Sequence, residues 1–300
     1  MQSHQLSRKP PEHKEYVVSK VGLVVEGGGT KIAYSAGVLK ALLEQKIYLP
    51  YAVGVSSGAE VLLPYTSRQI DRLEITGIDS ASQKGAVGIV PLFKEGSIFG
   101  IEATSDYIEK KAPLDFMAFF GSDTELDIGV YDMETHTIQY FGKEYVDESM
   151  TLLKASCALL LLAKPYTFHG RKVFDAGLID MISIEQSIRK GCDKHLVIST
   201  KEEGYVRKPA PTWQQWLARM VYHDKTIERN LKERHLRYNE QWDKIAQLEK
   251  EGKALVLRPH KDLGVTRYTT DPDKLRPWFQ LGYDETMERM DEIKRFCEVD

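Results

Sequence analysis

A serine set two residues from a glycine on either side, Gly54-Val55-Ser56-Ser57-Gly58, has the spacing of a nucleophile elbow. A serine hydroxyl attacks an acyl carbonyl when it stands on a sharp strand-to-helix turn, next to a base and to donors for the developing oxyanion. The motif alone decides little, because glycine and serine frequencies produce a chance match in roughly one chain of this length in ten. Two other stretches give it company. Glu26-Gly27-Gly28-Gly29-Thr30-Lys31 is a glycine turn whose backbone N–H groups suit an oxyanion, with Lys31 adding positive charge. The same turn would suit a phosphate, but it is neither G-x-x-x-x-G-K-[ST] nor G-x-G-x-x-G. Asp175, in "KVFDAGLID", ends a strand just before Ala176-Gly177.

These residues need elements to position them. "KVGLVVEGGG" reads as a buried parallel strand stopping on the glycines, and "TKIAYSAGVLKALLEQK" as a helix with an apolar face through Ile32, Ala36, Leu39 and Leu43. The pattern repeats: strand "YAVGV" runs into Ser56, and helix-compatible "GAEVLLPYTSRQIDRL" follows. Gly54 and Gly58 give that strand and helix room to approach. Residues 79–100 are rich in Gly, Ser and Ala and predict loops or irregular turns over the core. "LDIGVYD" and "HTIQYFG" predict two strands about a turn at Met133-Glu134-Thr135, "ESMTLLKASCAL" a helix, "YTFHGRKVFDAG" a hairpin about His169-Gly170, and "DKHLVIST" a further buried strand. The run "CALLLLA" predicts a buried segment. Strands alternating with helices predict a layered α/β fold with a mainly parallel sheet.

The ordered set "GLVVEGGGTK", "GVSSGA", "KASCAL" and "FDAGLID", from about Val21 to Thr200, resembles the patatin-like phospholipases, a family of serine acyl hydrolases. The resemblance implies a three-layer α/β/α sandwich related to cytosolic phospholipase A2 and activity on acyl esters of lipids. It implies Ser56 as nucleophile and Asp175 as the base of a two-residue dyad, with Gly27, Gly28, Gly29 and Lys31 as the oxyanion site and no histidine. A dyad of this kind needs Asp175 within hydrogen-bond reach of the serine hydroxyl in a partly dry site. With an unperturbed carboxylate the acid limb of activity would fall near about 4.

The chain departs from the family pattern in places. Ile32 stands for the last glycine of the turn, where a side chain could crowd the oxyanion donors. Asp175-Ala176-Gly177 replaces Asp-Gly-Gly or Asp-Gly-Ala, a change that strains the turn if the second position has positive φ. Leu160, Met181 and Ser183 stand where prolines are common. These departures set an alternative beside the enzyme: a catalytically weak or inactive patatin fold serving as a lipid-binding or regulatory module. A third reading, a Ser-acid-His triad, would recruit His195, His223, His235 or His260, and would put the acid limb near about 6.5 instead.

At 300 residues, 42% hydrophobic and 28% charged, the chain is ordinary for a soluble globular protein. A net charge of −3 gives no general attraction to nucleic acid. Cys157, Cys192 and Cys297 are scattered, which fits a reducing cytoplasm better than a disulfide framework; Cys157 and Cys192 read as buried small hydrophobes. There is no Cys/His/Asp/Glu cluster with metal spacing, and neither metal nor cofactor is expected. Residues 1–18 read as a loose polar tail, 19–200 as the catalytic domain and 201–300 as a C-terminal helical layer on the same core. No apolar run is long enough to span a bilayer.

Within the C-terminal part, Trp213, Trp216, Leu217, Met220 and Val221 form an i, i+3, i+4, i+7, i+8 stripe. It admits two readings: an interfacial lipid anchor flanked by Arg207, Lys208 and Arg219, or the core-facing side of a helix, which is the expectation. A charged helix from about 224 to 251 is expected to present a solvated face, followed by strand "ALVLRP" and a last amphipathic helix near 284–296. Oligomeric state has no signature in the sequence.

Overall fold

Leu23 and Val25 project to one side of a strand and Val24 to the other, and all three are buried. A strand dry on both faces requires helices on both, which is the physical origin of the layered fold. In the computed structural model, which describes residues 19–299, this strand, β1 (Val21–Val25), lies inside an eight-stranded sheet. The other strands are β2 (Tyr51–Val55), β3 (Glu125–Asp132), β4 (Ile138–Gly142), β5 (Tyr166–Phe168), β6 (Arg171–Asp175), β7 (Lys194–Ile198) and β8 (Ala254–Leu257). Their order is β5-β6-β3-β2-β1-β7-β8, with β4 also on β3. The five strands β3-β2-β1-β7-β8 are parallel, and the β4, β5 and β6 pairings are antiparallel.

The order in which strands are added reverses at β1, since β2 is its neighbour on one side and β7 on the other. In such sheets ligands collect at the carboxyl ends of the strands beside that switch. The glycine turn follows β1, Ser56 follows β2 and Lys201 follows β7, so the sheet delivers all three to one edge.

One face is covered by the Ile32–Glu44, Ser57–Thr66 and Pro272–Glu288 helices, and the other by the Ile184–Arg189 and Lys225–Lys250 helices. The C-terminal residues therefore add a strand to the sheet, the Lys225–Lys250 helix to one face, and the Pro272–Glu288 and Met290–Cys297 helices to the other. Pro272–Glu288 lies on Ile32–Glu44 at backbone distance: a Cβ on Gly37 would fall 2.0 Å from the Phe279 carbonyl oxygen, and one on Gly282 2.2 Å from that of Tyr34. Trp278, fully buried, donates its Nε1–H to the Lys31 carbonyl at 2.9 Å.

Several local expectations are corrected. Residues 79–100 hold an Ile89–Glu95 helix between Gly88 and Gly96, both at positive φ. The last helix is two, Pro272–Glu288 and Met290–Cys297. The tryptophan stripe does not face the core: on the Thr212–Tyr222 helix only Ala218 is buried, and Trp213 and Trp216 are 60% and 61% exposed. The leucines of "CALLLLA" are half-buried rather than interior, because the chain turns at Leu161, whose φ is 66°. The predicted tail, 1–18, lies outside the described residues. Among the described residues no helix is long and apolar enough to cross a membrane.

Candidate active site

The register of the sheet sets Ser56 and Asp175 level with each other. Val55 on β2 pairs with Gly129 on β3, and the next β3 residue, Val130, pairs with Asp175 on β6. Ser56 follows Val55 directly, so one strand separates the two. Gly129 keeps the space between them narrow, since a Cβ there would meet Val55 at 2.8 Å and Ala176 at 3.5 Å.

Ser56 has φ 56° and ψ −142°, a region that L-residues rarely occupy. The strain is held in place by its neighbours. The Ser56 N–H donates to Ser156 Oγ at 2.9 Å, and Ser156, fully buried, donates to the Gly129 carbonyl at 2.8 Å. Gly54 and Gly58 permit the tight packing around the turn: a Cβ on Gly54 would lie 2.8 Å from the Ala59 nitrogen, and one on Gly58 2.5 Å from the Val25 carbonyl oxygen.

The glycine turn is fastened to this elbow. The Gly28 N–H donates to Ser57 Oγ at 3.0 Å, and a Cβ on Gly27 would lie 2.9 Å from the Ser56 Cβ. Gly29, at φ 58°, abuts the Arg267 carbonyl. The Gly28 amide is thus committed, while those of Gly27 and Gly29 have no partner among the described residues. Lys31 does not line the cleft between these elements; it is buried with its ammonium 5.1 Å from the centre of the Trp278 ring.

Asp175 is buried, with Oδ1 accepting the Gly177 N–H at 2.7 Å. Oδ2 has no aligned hydrogen bond, although the Ser56 hydroxyl is near enough to act on the carboxyl group. Burial pushes the Asp175 carboxyl above the ordinary range, against the opposing pull of Ser56, the Gly177 amide, Arg234 and Arg267. The anticipated strains are missing from the backbone. Ala176 has no positive φ, and Ile32 is an ordinary first helical residue at φ −59°, its side chain in the wall of a cavity.

Two cavities meet at Ser56. One holds Gly27–Gly29, Asp175 and Gly177 together with Lys201, Arg207, Arg234 and Arg267. The other is mainly apolar, about 620 Å³ with its mouth, and is walled by Ile32, Ala81, Val87, Phe99, Ile101 and Leu159. Gly29, Ser56 and Leu159 belong to both. Glu60 and Cys157 also line the apolar cavity, so Cys157 is a wall residue and not simply core. Burial raises the Glu60 carboxyl to about 7.

No histidine lines either cavity. His195 is buried at the start of β7 against Ser187 Oγ, with burial lowering its pKa to about 4, and His260 pairs with Glu285 on the surface. Among the described residues no group of His, Cys, Asp and Glu could hold a metal.

No sequence motif marks the cations of the cleft as site residues, and Arg207 lines the cleft rather than only flanking the tryptophan stripe. Lys201 was detectable as the residue just beyond a parallel strand, but Arg207, Arg234 and Arg267 are brought in by three separate C-terminal segments. Arg234 also corrects the charged helix, Lys225–Lys250, from a solvated face to one that buries Ile227, Leu231, Tyr238 and Ile245 and reaches the cleft.

The sequence model of the patatin-like phospholipases matches residues 23–188, and that of a domain of unknown function, DUF6363, matches residues 225–298. No curated protein matches the chain. The fold is similar to VipD from Legionella pneumophila, at 14% identity and a TM-score of 0.50, covering 92% of this chain and 67% of that one. It is also similar to human GIVD cytosolic phospholipase A2, at 10% identity and a TM-score of 0.52, covering 98% of this chain and 60% of that one.

Proposed function

Because the chain belongs to the patatin-like phospholipase family, we propose that it is a lipid acyl hydrolase of phospholipase or lysophospholipase type, working through a Ser56–Asp175 dyad. The observation that carries this reading is the pairing of a strained elbow serine with a buried, half-satisfied carboxylate at the junction of two cavities. Ser56 Oγ attacks the ester carbonyl carbon as its proton passes to Asp175. The free amides of Gly27 and Gly29 receive the oxyanion charge. Collapse of the tetrahedral adduct breaks the bond to the alcohol, which leaves with the proton from Asp175. Water, deprotonated by the same carboxylate, then releases the fatty acid from Ser56. Lys31 supplies background positive charge rather than a direct contact.

The unstrained backbone at Ile32 and Ala176 supports the hydrolase over a purely lipid-binding module. The test is covalent labelling by a fluorophosphonate probe together with turnover of a chromogenic acyl ester. Failure of the folded protein in both assays would rule the reading out.

The acyl chain belongs in the apolar cavity. Glu60 in its wall is neutral below about 7 and charged above it. Ionisation there disfavours an apolar chain, so KM for a medium-chain ester is expected to rise as pH passes through 7. Glu60→Gln should flatten that rise. A KM profile unchanged by the substitution would place the chain elsewhere.

Peripheral membrane contact is part of the same proposal. Trp213 and Leu217 border a cavity with Leu159–Leu162, and Leu162 bonds the Ile98 N–H at the base of the Ile89–Glu95 segment. Phe93 on that segment is 85% exposed. Exposed aromatic and aliphatic residues thus lie on the segments that flank this cavity, as an interfacial surface requires. Phe93→Ser combined with Trp216→Ser is expected to lower partition onto phospholipid vesicles at least about tenfold, as read by sedimentation. Unaltered partition would refute the contact.

A further inference from the structure

Lys201, Arg207, Arg234 and Arg267 line the cleft that contains Ser56, and none makes an ion pair within 4 Å among the described residues. Each is part-buried, with some surface left open. Their existing contacts are neutral: Arg234 Nε donates to the Gly177 carbonyl at 2.6 Å, the Arg207 guanidinium stands 4.3 Å from the centre of the Tyr238 ring, and Lys201 reaches Thr200 Oγ1 at 3.5 Å. Arg207 Nε is buried without any hydrogen-bond partner.

The negative charge nearby is insufficient for four cations. Asp175 is the one carboxylate in the lining, and its burial already disfavours ionisation. Glu26 acts on Lys201, but its own oxygens are occupied by the Ser199 hydroxyl, the Thr200 amide and the Tyr238 hydroxyl. The strain of the arrangement appears in the groups themselves. Burial, with repulsion from neighbouring cations, lowers Lys201 to about 8 and Arg234 to about 9. Gathering like charges in a part-dry cleft is unfavourable unless an anion completes it.

We propose that these four residues bind the phosphate of an acylated, phosphate-bearing alcohol whose acyl chain occupies the apolar cavity on the other side of Ser56. The proposal rests on the acyl hydrolase reading and specifies its substrate. Three features favour a phosphate. Planar guanidinium forks match phosphate oxygens. All four line the cleft and none lines the apolar cavity, so with the acyl chain in the apolar cavity they address the alcohol portion of the ester. Their number suits a head group with net negative charge, whereas a choline ammonium would be set among four positive charges. Lys201, Arg207, Arg234 and Arg267 all come from outside the matched patatin segment, and Arg234 and Arg267 from within the segment of unassigned function. That segment thereby completes the substrate site.

The test compares three esters with the same chain: 1-oleoylglycerol 3-phosphate, 1-oleoylglycerol and oleoyl-lysophosphatidylcholine. The phosphate ester is expected to give the highest kcat/KM, with its advantage over the neutral ester shrinking as NaCl screens the site. Arg207→Gln and Arg267→Gln are each expected to reduce that advantage about tenfold or more, mainly through KM, with folding checked by thermal melting. Arg207→Lys should recover part of it. Equal kcat/KM for phosphate and neutral esters, unmoved by either substitution, would overturn the site while leaving the hydrolase intact. Calorimetric binding of 1-oleoylglycerol 3-phosphate to Ser56→Ala separates the two readings: saturable binding lost in the added Arg207→Gln variant supports the site even if no ester is turned over, and no binding overturns it.

Discussion

Ser56→Ala is expected to remove acyl-ester turnover and fluorophosphonate labelling, with kcat falling by about 10⁴-fold or more. In the proposed dyad the nucleophile and its base act as a unit, so loss of the serine leaves only what binding and the oxyanion amides contribute. The fold should survive, since the bond that holds the elbow, Ser56 N–H to Ser156 Oγ, is made by the backbone, and alanine removes only the hydroxyl that acts on Asp175. Backbone strain adds a second readout. At φ 56° and ψ −142° any L-residue is held out of its preferred regions, at a cost of roughly 1–3 kcal/mol. Ser56→Gly relieves that cost and returns part of it through the freer unfolded chain. The glycine variant should therefore be inactive and about 1 kcal/mol more stable than the alanine variant, measured by chemical denaturation. Near-normal turnover by either variant would discard Ser56 as the nucleophile.

Asp175→Asn is expected to lower kcat by about 10²–10⁴-fold while raising stability at neutral pH. The folded protein holds the Asp175 proton more tightly than the unfolded chain does, because burial raises its pKa. The resulting contribution to stability is fully present below the unfolded carboxylate range of about 3.9 and is lost as pH rises through the higher folded value. Above the unfolded range the native protein thus bears the cost of a buried carboxyl whose ionisation folding opposes, a cost the amide variant lacks, while the amide oxygen can still accept the Gly177 N–H. The same shift moves the acid limb of wild-type activity above about 4, where an unperturbed aspartate would place it. Urea midpoints across pH and a kcat profile read both effects. Retention of kcat within about twofold would remove Asp175 from the mechanism.

Much of this arrangement was legible in the sequence because it is local. The apolar strands before Gly27 and Ser56, the glycines that let backbone approach backbone, and the strand ending at Asp175 each announce themselves within ten residues. The antiparallel hairpins also followed from alternation and turn residues. What the sequence concealed depends on distant packing. The Trp213–Val221 stripe has helical spacing whether it meets core or solvent, and periodicity cannot choose between them. "CALLLLA" has the composition of an interior segment, yet it borders open cavities because the chain turns at Leu161. Lys31 sits beside the glycine turn in sequence, but Trp278, 247 residues away, captures its ammonium. The arginines of the cleft have no common pattern at all, since only the tertiary fold makes them neighbours.

The contact between Gly37 and Phe279, and its counterpart between Gly282 and Tyr34, limits how this protein can be recombined. Two separately catalogued sequence families meet there with no side chain between them, so neither surface can vary without a matching change in the other. A C-terminal half exchanged from a relative would have to bring its own groove for the Ile32–Glu44 helix as well as its own strand for the edge of β7. The two segments are packed as one mechanical unit, and on the proposed site a change of head-group preference would be written in the later segment.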